Sequence, residues 1–204
     1  MSKPIIAIDI DDVTADSTES LRQLVNERWQ VNLSKDDYKI PGTYRDYYAE
    51  VWARHGLADK IDYADLEEEM AVDQSHVPVM RGAEDAIHAL SKVFHVIFIT
   101  ARDVSWESAT RVWFKDKFAH DDIELYFSEG MSNIGAMTKG QLCKQFGAEL
   151  LIDDNPSHCL SAINEGVKTI LFGNYGWHVV DLEGAVQCKN WKEVQEYLLV
   201  DHGY

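Results

Sequence analysis

Residues 4–17 read PIIAIDIDDVTADS, a short apolar run that ends in three aspartates, Asp9, Asp11 and Asp12. Ile5 to Ile8 are apolar without alternation, the pattern of a strand buried on both faces of a parallel sheet rather than one half-exposed to water. Carboxylates at the carboxyl end of such a strand lie where the loops of an α/β sheet gather ligands. Several of them together are costly unless a group of opposite charge meets them.

Outward from this strand the chain alternates. After Asp16, Leu21, Leu24, Val25 and Trp29 share a helical face. From Ser34 to Val79 no buried-strand run occurs, and Tyr38, Tyr44, Tyr47, Tyr48, Trp52 and Tyr63 lie among many charges, which predicts a mainly helical insertion over 34–79. A helix with Ala86, Ile87 and Leu90 then leads to the strand FHVIFIT, residues 94–100. A helix over about 105–118, a weaker strand IELYF, a helix KGQLCKQF closed by Gly147, strand AELLID, a short helix from Ser157, strand VKTILFG and a closing helix WKEVQEYLLV complete the reading. Strands and helices alternating at this pace imply a doubly wound parallel α/β sheet. The expected core is 1–33 with 80–204, and the insertion forms a small helical cap.

Composition narrows the function. The chain has 204 residues, 46% hydrophobic and 26% charged, which suits one folded core with an appendage. Thirty-five acidic against nineteen basic residues, a formal charge of -16, oppose broad attachment to nucleic-acid polymers or anionic membranes. A small anion remains compatible if a bound cation dominates its site. The three cysteines, Cys143, Cys159 and Cys188, are odd in number and lack metal-ligand spacing, so reduced thiols and a cytoplasmic location are expected. The first apolar run is too short for a signal peptide or a membrane span.

The polar residues at the strand ends belong together. The first strand ends in Asp9 and Asp11, the second in Thr100, and LLIDDN in Asp153 and Asp154, while Lys139 opens the preceding helix. Convergent carboxylates of this kind suit Mg²⁺, which takes oxygen ligands and completes its shell with water and substrate phosphate. A hydroxyl, a lysine and backbone N–H groups after Thr100, at Ala101 and Arg102, would supply donors to the remaining phosphate oxygens.

IDIDDVT, FITAR, Lys139 in MTKGQL and LLIDDNP resemble, in type, order and strand position, the four motifs of the haloacid dehalogenase (HAD) superfamily. Receiver domains share the residue types but place the acidic pair first, whereas here the late pair follows the lysine. Within the superfamily, VTADS, LLIDDNP and ILFGNYGWH are similar to the 5′(3′)-deoxyribonucleotidases and their bacterial relatives. The resemblance implies a Mg²⁺-dependent phosphomonoester hydrolase, a 5′-nucleotidase on nucleoside monophosphates. Asp9 would be the nucleophile forming an aspartyl-phosphate, and Asp11 the acid and base, with its carbonyl on the metal. Thr100 would bind the phosphoryl group, Lys139 would offset charge, Asp153 would ligate Mg²⁺ and Asp154 would support it. The chain departs from the family at Ser17, where an aromatic residue usually helps to form the base pocket, and at Asp12, a position that is often glycine.

Two alternatives stay open: a phosphatase of a small non-nucleotide metabolite, and a non-catalytic member that binds nucleotide or phosphate. Tyr44, Tyr47 and Trp52 in the cap are candidate stacking surfaces for a base, or else packing residues of the cap. His158 and Cys159, beside the acidic pair, read as structural. A homodimer is compatible with the sequence, which does not specify an assembly.

Overall fold

The computed structural model describes residues 2–119, 122–130, 133–179 and 181–201. Its centre is β1 (Ile5–Ile8), paired in parallel with β2 (His95–Thr100) on one side and β4 (Ala148–Asp153) on the other. With β3 (Leu125–Phe127), β5 (Lys168–Phe172) and β6 (Ala185–Cys188) the sheet has the order β3-β2-β1-β4-β5-β6, parallel throughout. This is the doubly wound sheet expected from the alternation. The order reverses at β1, so a crevice opens at its carboxyl end. β6 has no counterpart in the sequence reading, because AVQC is short and its residues before Cys188 are partly exposed at the sheet edge.

Apolar residues cover both faces. One cluster joins Ile6, Ile8, Phe98, Leu150, Ile152 and Ile170 to α4 (Ala83–Ser91), α5 (Glu107–Phe118) and α8 (Trp191–Gln195). The other joins Ala7, Ile97, Ile99 and Leu151 to α6 (Lys139–Phe146) and α7 (Pro156–Asn164). The expected closing helix continues from α8 as a π-helix over Glu196–Asp201. Among the described residues, no helix is long and apolar enough to cross a membrane.

The insertion holds two 3₁₀ turns, Lys35–Lys39 and Tyr44–Asp46, then α2 (Tyr47–Arg54) and α3 (Tyr63–Val72). Its apolar cluster takes in Tyr38, Tyr47, Val51, Trp52 and Leu66, together with Leu21 and Val25 of α1 (Ser17–Trp29) and Trp177 from the loop after β5. α1 therefore packs with this helical layer. The chain enters and leaves the layer through a narrow neck, where Asp16 N–H donates to the Pro78 carbonyl at 2.9 Å and Met80 N–H to the Thr14 carbonyl at 2.8 Å.

Candidate active site

Asp9 follows β1 directly, and its N–H donates to the Ile152 carbonyl of β4 at 2.9 Å, so the central ladder holds its backbone. The turn that follows is bound back to the strand, with Thr14 Oγ1 donating to the Asp9 carbonyl at 2.7 Å. Asp12 adopts φ 56°, a left-handed conformation that Asp tolerates better than most residues. From there its carboxylate accepts from Thr18 N–H at 2.9 Å and Thr18 Oγ1 at 2.7 Å, and so anchors the first turn of α1.

Three elements bring the charged groups together. Lys139 is the first residue of α6, whose start is set by a capping box between Thr138 and Gln141. Its ammonium is fully buried, 2.6 Å from Asp9 Oδ1 and 2.7 Å from Asp153 Oδ2. Asp153 ends β4 and also accepts from Asn155 N–H at 2.9 Å. The Nδ1 of His158, on the first turn of α7, lies 3.3 Å from Asp153 Oδ1.

Gly140 lets α6 approach α7: a Cβ there would stand 2.1 Å from the Ser161 carbonyl oxygen. The Asp154 carbonyl accepts from Trp177 Nε1 at 3.2 Å and contacts His178 Nε2 at 2.6 Å.

The electrostatics follow from one buried lysine among several buried acids. Asp153 keeps its charge: burial alone would raise its pKa, but Lys139 and then His158 bring it down to about 2. Asp9 is pushed up to about 8, because burial and the neighbouring charges of Asp153 and Asp11 outweigh the help from Lys139. Burial, Asp153 and Asp9 raise Asp154 as well. Without a further cation, the cluster stores protons on carboxyls that would otherwise ionise.

A divalent cation would relieve that imbalance. Asp9, Asp153 and His158 offer ligand atoms within 4.8 Å of one another. The donor set thus fits a divalent metal.

Asp11 is placed differently. Its carboxylate is gripped by Arg102, Nη2 to Oδ1 at 2.7 Å and Nε to Oδ2 at 2.8 Å, and Ser17 Oγ donates to Oδ1 at 2.5 Å. Burial opposes ionisation, but the Arg102 charge and these hydrogen bonds lower the pKa of Asp11 overall. The rest of the Arg102 fork donates to Gln74 Oε1 at 2.8 Å and Thr110 Oγ1 at 3.0 Å, so the guanidinium also ties the exit of the helical layer to α5.

Thr100 is fully buried, and its Oγ1 accepts from Arg102 N–H at 3.2 Å. Asn133, which the sequence reading passed over, holds this loop by donating to the Arg102 carbonyl at 2.7 Å and the Ser128 carbonyl at 3.1 Å. Ala101, between them, is partly buried.

The aromatics of the helical layer differ in burial. Tyr47 and Trp52 are buried within it, Tyr47 donating to the Ile40 carbonyl at 3.0 Å and Trp52 Nε1 to Tyr38 Oη at 3.1 Å. Tyr44 is exposed and packs edge-on against Trp177, with centroids 5.6 Å apart. Although the residue as a whole is exposed, the protein around its phenol and then the charges of Asp154 and Asp9 raise the phenol pKa. Tyr63, also exposed, stacks on Tyr48.

Sequence comparison decides the family. The model for the family "5′ nucleotidase, deoxy (Pyrimidine), cytosolic type C protein" matches residues 3–203. The chain belongs to this nucleotidase family. No curated protein matches its sequence. Solved structures with the same fold include YfnB from Bacillus subtilis bound to magnesium, with TM-score 0.63, 16% identity, and coverage of 98% of this chain and 100% of that one. A HAD family hydrolase from Deinococcus radiodurans with bound phosphate and sodium has TM-score 0.60 and 16% identity, over 97% and 95% of the two chains. CbbY from Rhodobacter sphaeroides in complex with phosphate has TM-score 0.59 and 13% identity, over 94% and 96%. This member of the nucleotidase family is thus a HAD-superfamily phosphatase, a hydrolase of phosphomonoesters.

Proposed function

We infer that the chain is a Mg²⁺-dependent 5′-nucleotidase acting on nucleoside monophosphates through an aspartyl-phosphate on Asp9. The observation that carries the reading is the Asp9 carboxylate. It is buried at the end of the central strand, 2.6 Å from the Lys139 ammonium that also meets Asp153.

Asp9, Asp153 and the backbone carbonyl of Asp11 would hold the cation, with Asp154 and His158 in support. When bound, Mg²⁺ supplies charge neutralisation to the carboxylates and to the phosphoryl oxygens. An Asp9 oxygen attacks phosphorus, and the bond from phosphorus to the 5′ oxygen breaks. Asp11 gives its proton to that leaving oxygen. Water then attacks the aspartyl-phosphate, Asp11 takes the water's proton, and phosphate leaves with Asp9 restored. Thr100, the N–H groups after it at Ala101 and Arg102, and Lys139 orient the phosphoryl group.

The Arg102 and Ser17 contacts hold Asp11 ionised, the state of the base in the second step. Acting as acid in the first step requires Asp11 to be protonated, which loosening of the Arg102 fork on substrate entry permits. Tyr44, exposed and packed edge-on against Trp177, is the candidate to meet the nucleoside, whereas Tyr47 and Trp52 support the layer from within.

A hydrolysis panel with Mg²⁺, comparing deoxyribo- and ribonucleoside monophosphates with sugar phosphates, tests the substrate class. Preference for nucleotides is expected, and equal rates across the panel would refute it. Asp9→Asn should abolish turnover while preserving the fold, since an amide is a poor nucleophile of the same shape.

A further inference from the structure

The chain has only nineteen lysines and arginines against 35 acidic residues, yet Arg22, Lys35, Lys39, Arg81 and Lys189 all line one cavity. Asp16 and Glu19 are the acidic residues on its wall. The cavity encloses about 330 Å³, within the size range of small-molecule sites. It lies between the helical layer and the core. Arg22, Lys35 and Lys39 belong to α1 and the 3₁₀ turn after it, and Arg81 and Lys189 to loops of the core. Asp9, Asp11, Arg102, Lys139 and Asp153 are not on its wall, so it is distinct from the catalytic cluster.

These cations are unequally engaged. Arg22 is held by Glu19 at 2.7 Å and by the Leu33 carbonyl, and Lys39 by Asp36 at 2.8 Å. Lys35 hovers 3.5 Å from Glu19 and 3.9 Å from Asp16. Arg81 and Lys189 make no side-chain ion pair or hydrogen bond among the described residues. Like charges gathered in a concave site repel one another and focus a positive potential, against the field of an acidic protein. A multivalent anion relieves that repulsion, and Arg binds phosphate oxygens in a fork. Tyr38 and Tyr175 add aromatic surface to the same wall.

We propose that this cavity is a second binding site, for a small anion carrying two or more linked phosphates, held by Arg81 and Lys189 of the core and Lys35 and Lys39 of the helical layer. A nucleoside triphosphate and a bare polyphosphate share that chemistry. The ligand bridges both layers beside the neck. Its wall includes Thr18, which hydrogen-bonds Asp12 next to the catalytic turn, so occupancy bears directly on how α1 sits over the site.

The test is calorimetric titration of the full chain in EDTA with ATP and with inorganic triphosphate. It compares the native protein, Arg81→Ala/Lys189→Ala, Lys35→Glu on the opposite wall, and Asp9→Asn. Binding is expected in the native protein and in Asp9→Asn alike. Removal of the two core cations should weaken it by about tenfold or more, and Lys35→Glu should weaken it independently. Unfolding temperature and p-nitrophenyl phosphate hydrolysis without the probe should stay unchanged in the double variant. Tighter binding of ATP than of triphosphate would assign a contribution to the tyrosines, and equal binding would assign recognition to the phosphate chain; both support the site. Absence of binding at millimolar probe, undiminished binding in both charge variants, or loss of binding in Asp9→Asn would overturn it.

Discussion

Replacing Lys139 by Met removes the charge between Asp9 and Asp153 while nearly conserving shape. The ammonium is fully buried and touches both carboxylates within 2.7 Å, so the loss leaves Asp153 charged and unpaired in the interior. Removing one partner of such a pair costs about 3–5 kcal/mol. An independent limit agrees. Asp153 can escape by taking up a proton, and doing so at pH 7 from an ordinary carboxyl pKa costs about 4 kcal/mol, falling to about 2 kcal/mol at pH 5. In the native protein the pKa of Asp153 is depressed to about 2. Its contribution is therefore present above the unfolded value near 3.8 and is lost as pH falls toward 2. The native contribution is thus the same at pH 7 and pH 5, and the deficit of Lys139→Met should be large at pH 7 and shrink at pH 5 because protonating Asp153 in the variant costs less there. Urea unfolding of both proteins in EDTA at the two pH values measures it, and added Mg²⁺ should recover part of the loss at pH 7. A deficit under about 1 kcal/mol at pH 7, or one that does not change with pH, would refute the ion-pair reasoning.

Gly140→Ala should destabilise by about 2 kcal/mol or more despite the better helix propensity of Ala, because the new methyl meets the α7 backbone; an unchanged denaturation midpoint would contradict the close approach of the two helices. Arg102→Lys keeps the charge but loses the two-pronged grip on Asp11. Its acid limb of kcat against pH should move upward and kcat should fall by about tenfold to a hundredfold, whereas a superimposable pH profile would remove Arg102 from control of Asp11. Cation binding should release protons, because Asp9 is raised to about 8 without one. Calorimetry in two buffers of different ionisation enthalpy would detect this at pH 7, and identical heats would count against it.

Much of the frame was legible along the chain because it rests on short-range pattern. β1, β2 and β4 are runs of adjacent apolar residues, and a carboxylate or hydroxyl directly after such a run has little choice but to face the crevice. β6 was missed since a four-residue edge strand leaves no comparable pattern. His158 reads as structural in the sequence because it and Cys159 are helix neighbours that do not face one another, and the packing of α7 is what brings its Nδ1 to 3.3 Å from Asp153.

The aromatics of the insertion divide by burial, which composition does not report. Tyr47 and Trp52 build the interior of the layer, while Tyr44 is exposed.

By itself, then, the sequence determined the order of the strands along the chain and the chemical identity of the groups at their ends, both of which follow from residues next to one another. The tertiary structure alone decided who neutralises whom. Arg102 meets Asp11 across 91 residues, and Lys139 meets Asp9 only because Gly140 lets α6 settle against α7. Ser17, the departure from the family pattern, is a donor to Asp11. Such pairings depend on where whole helices come to rest, and that is set by packing across the sheet rather than by any local signal.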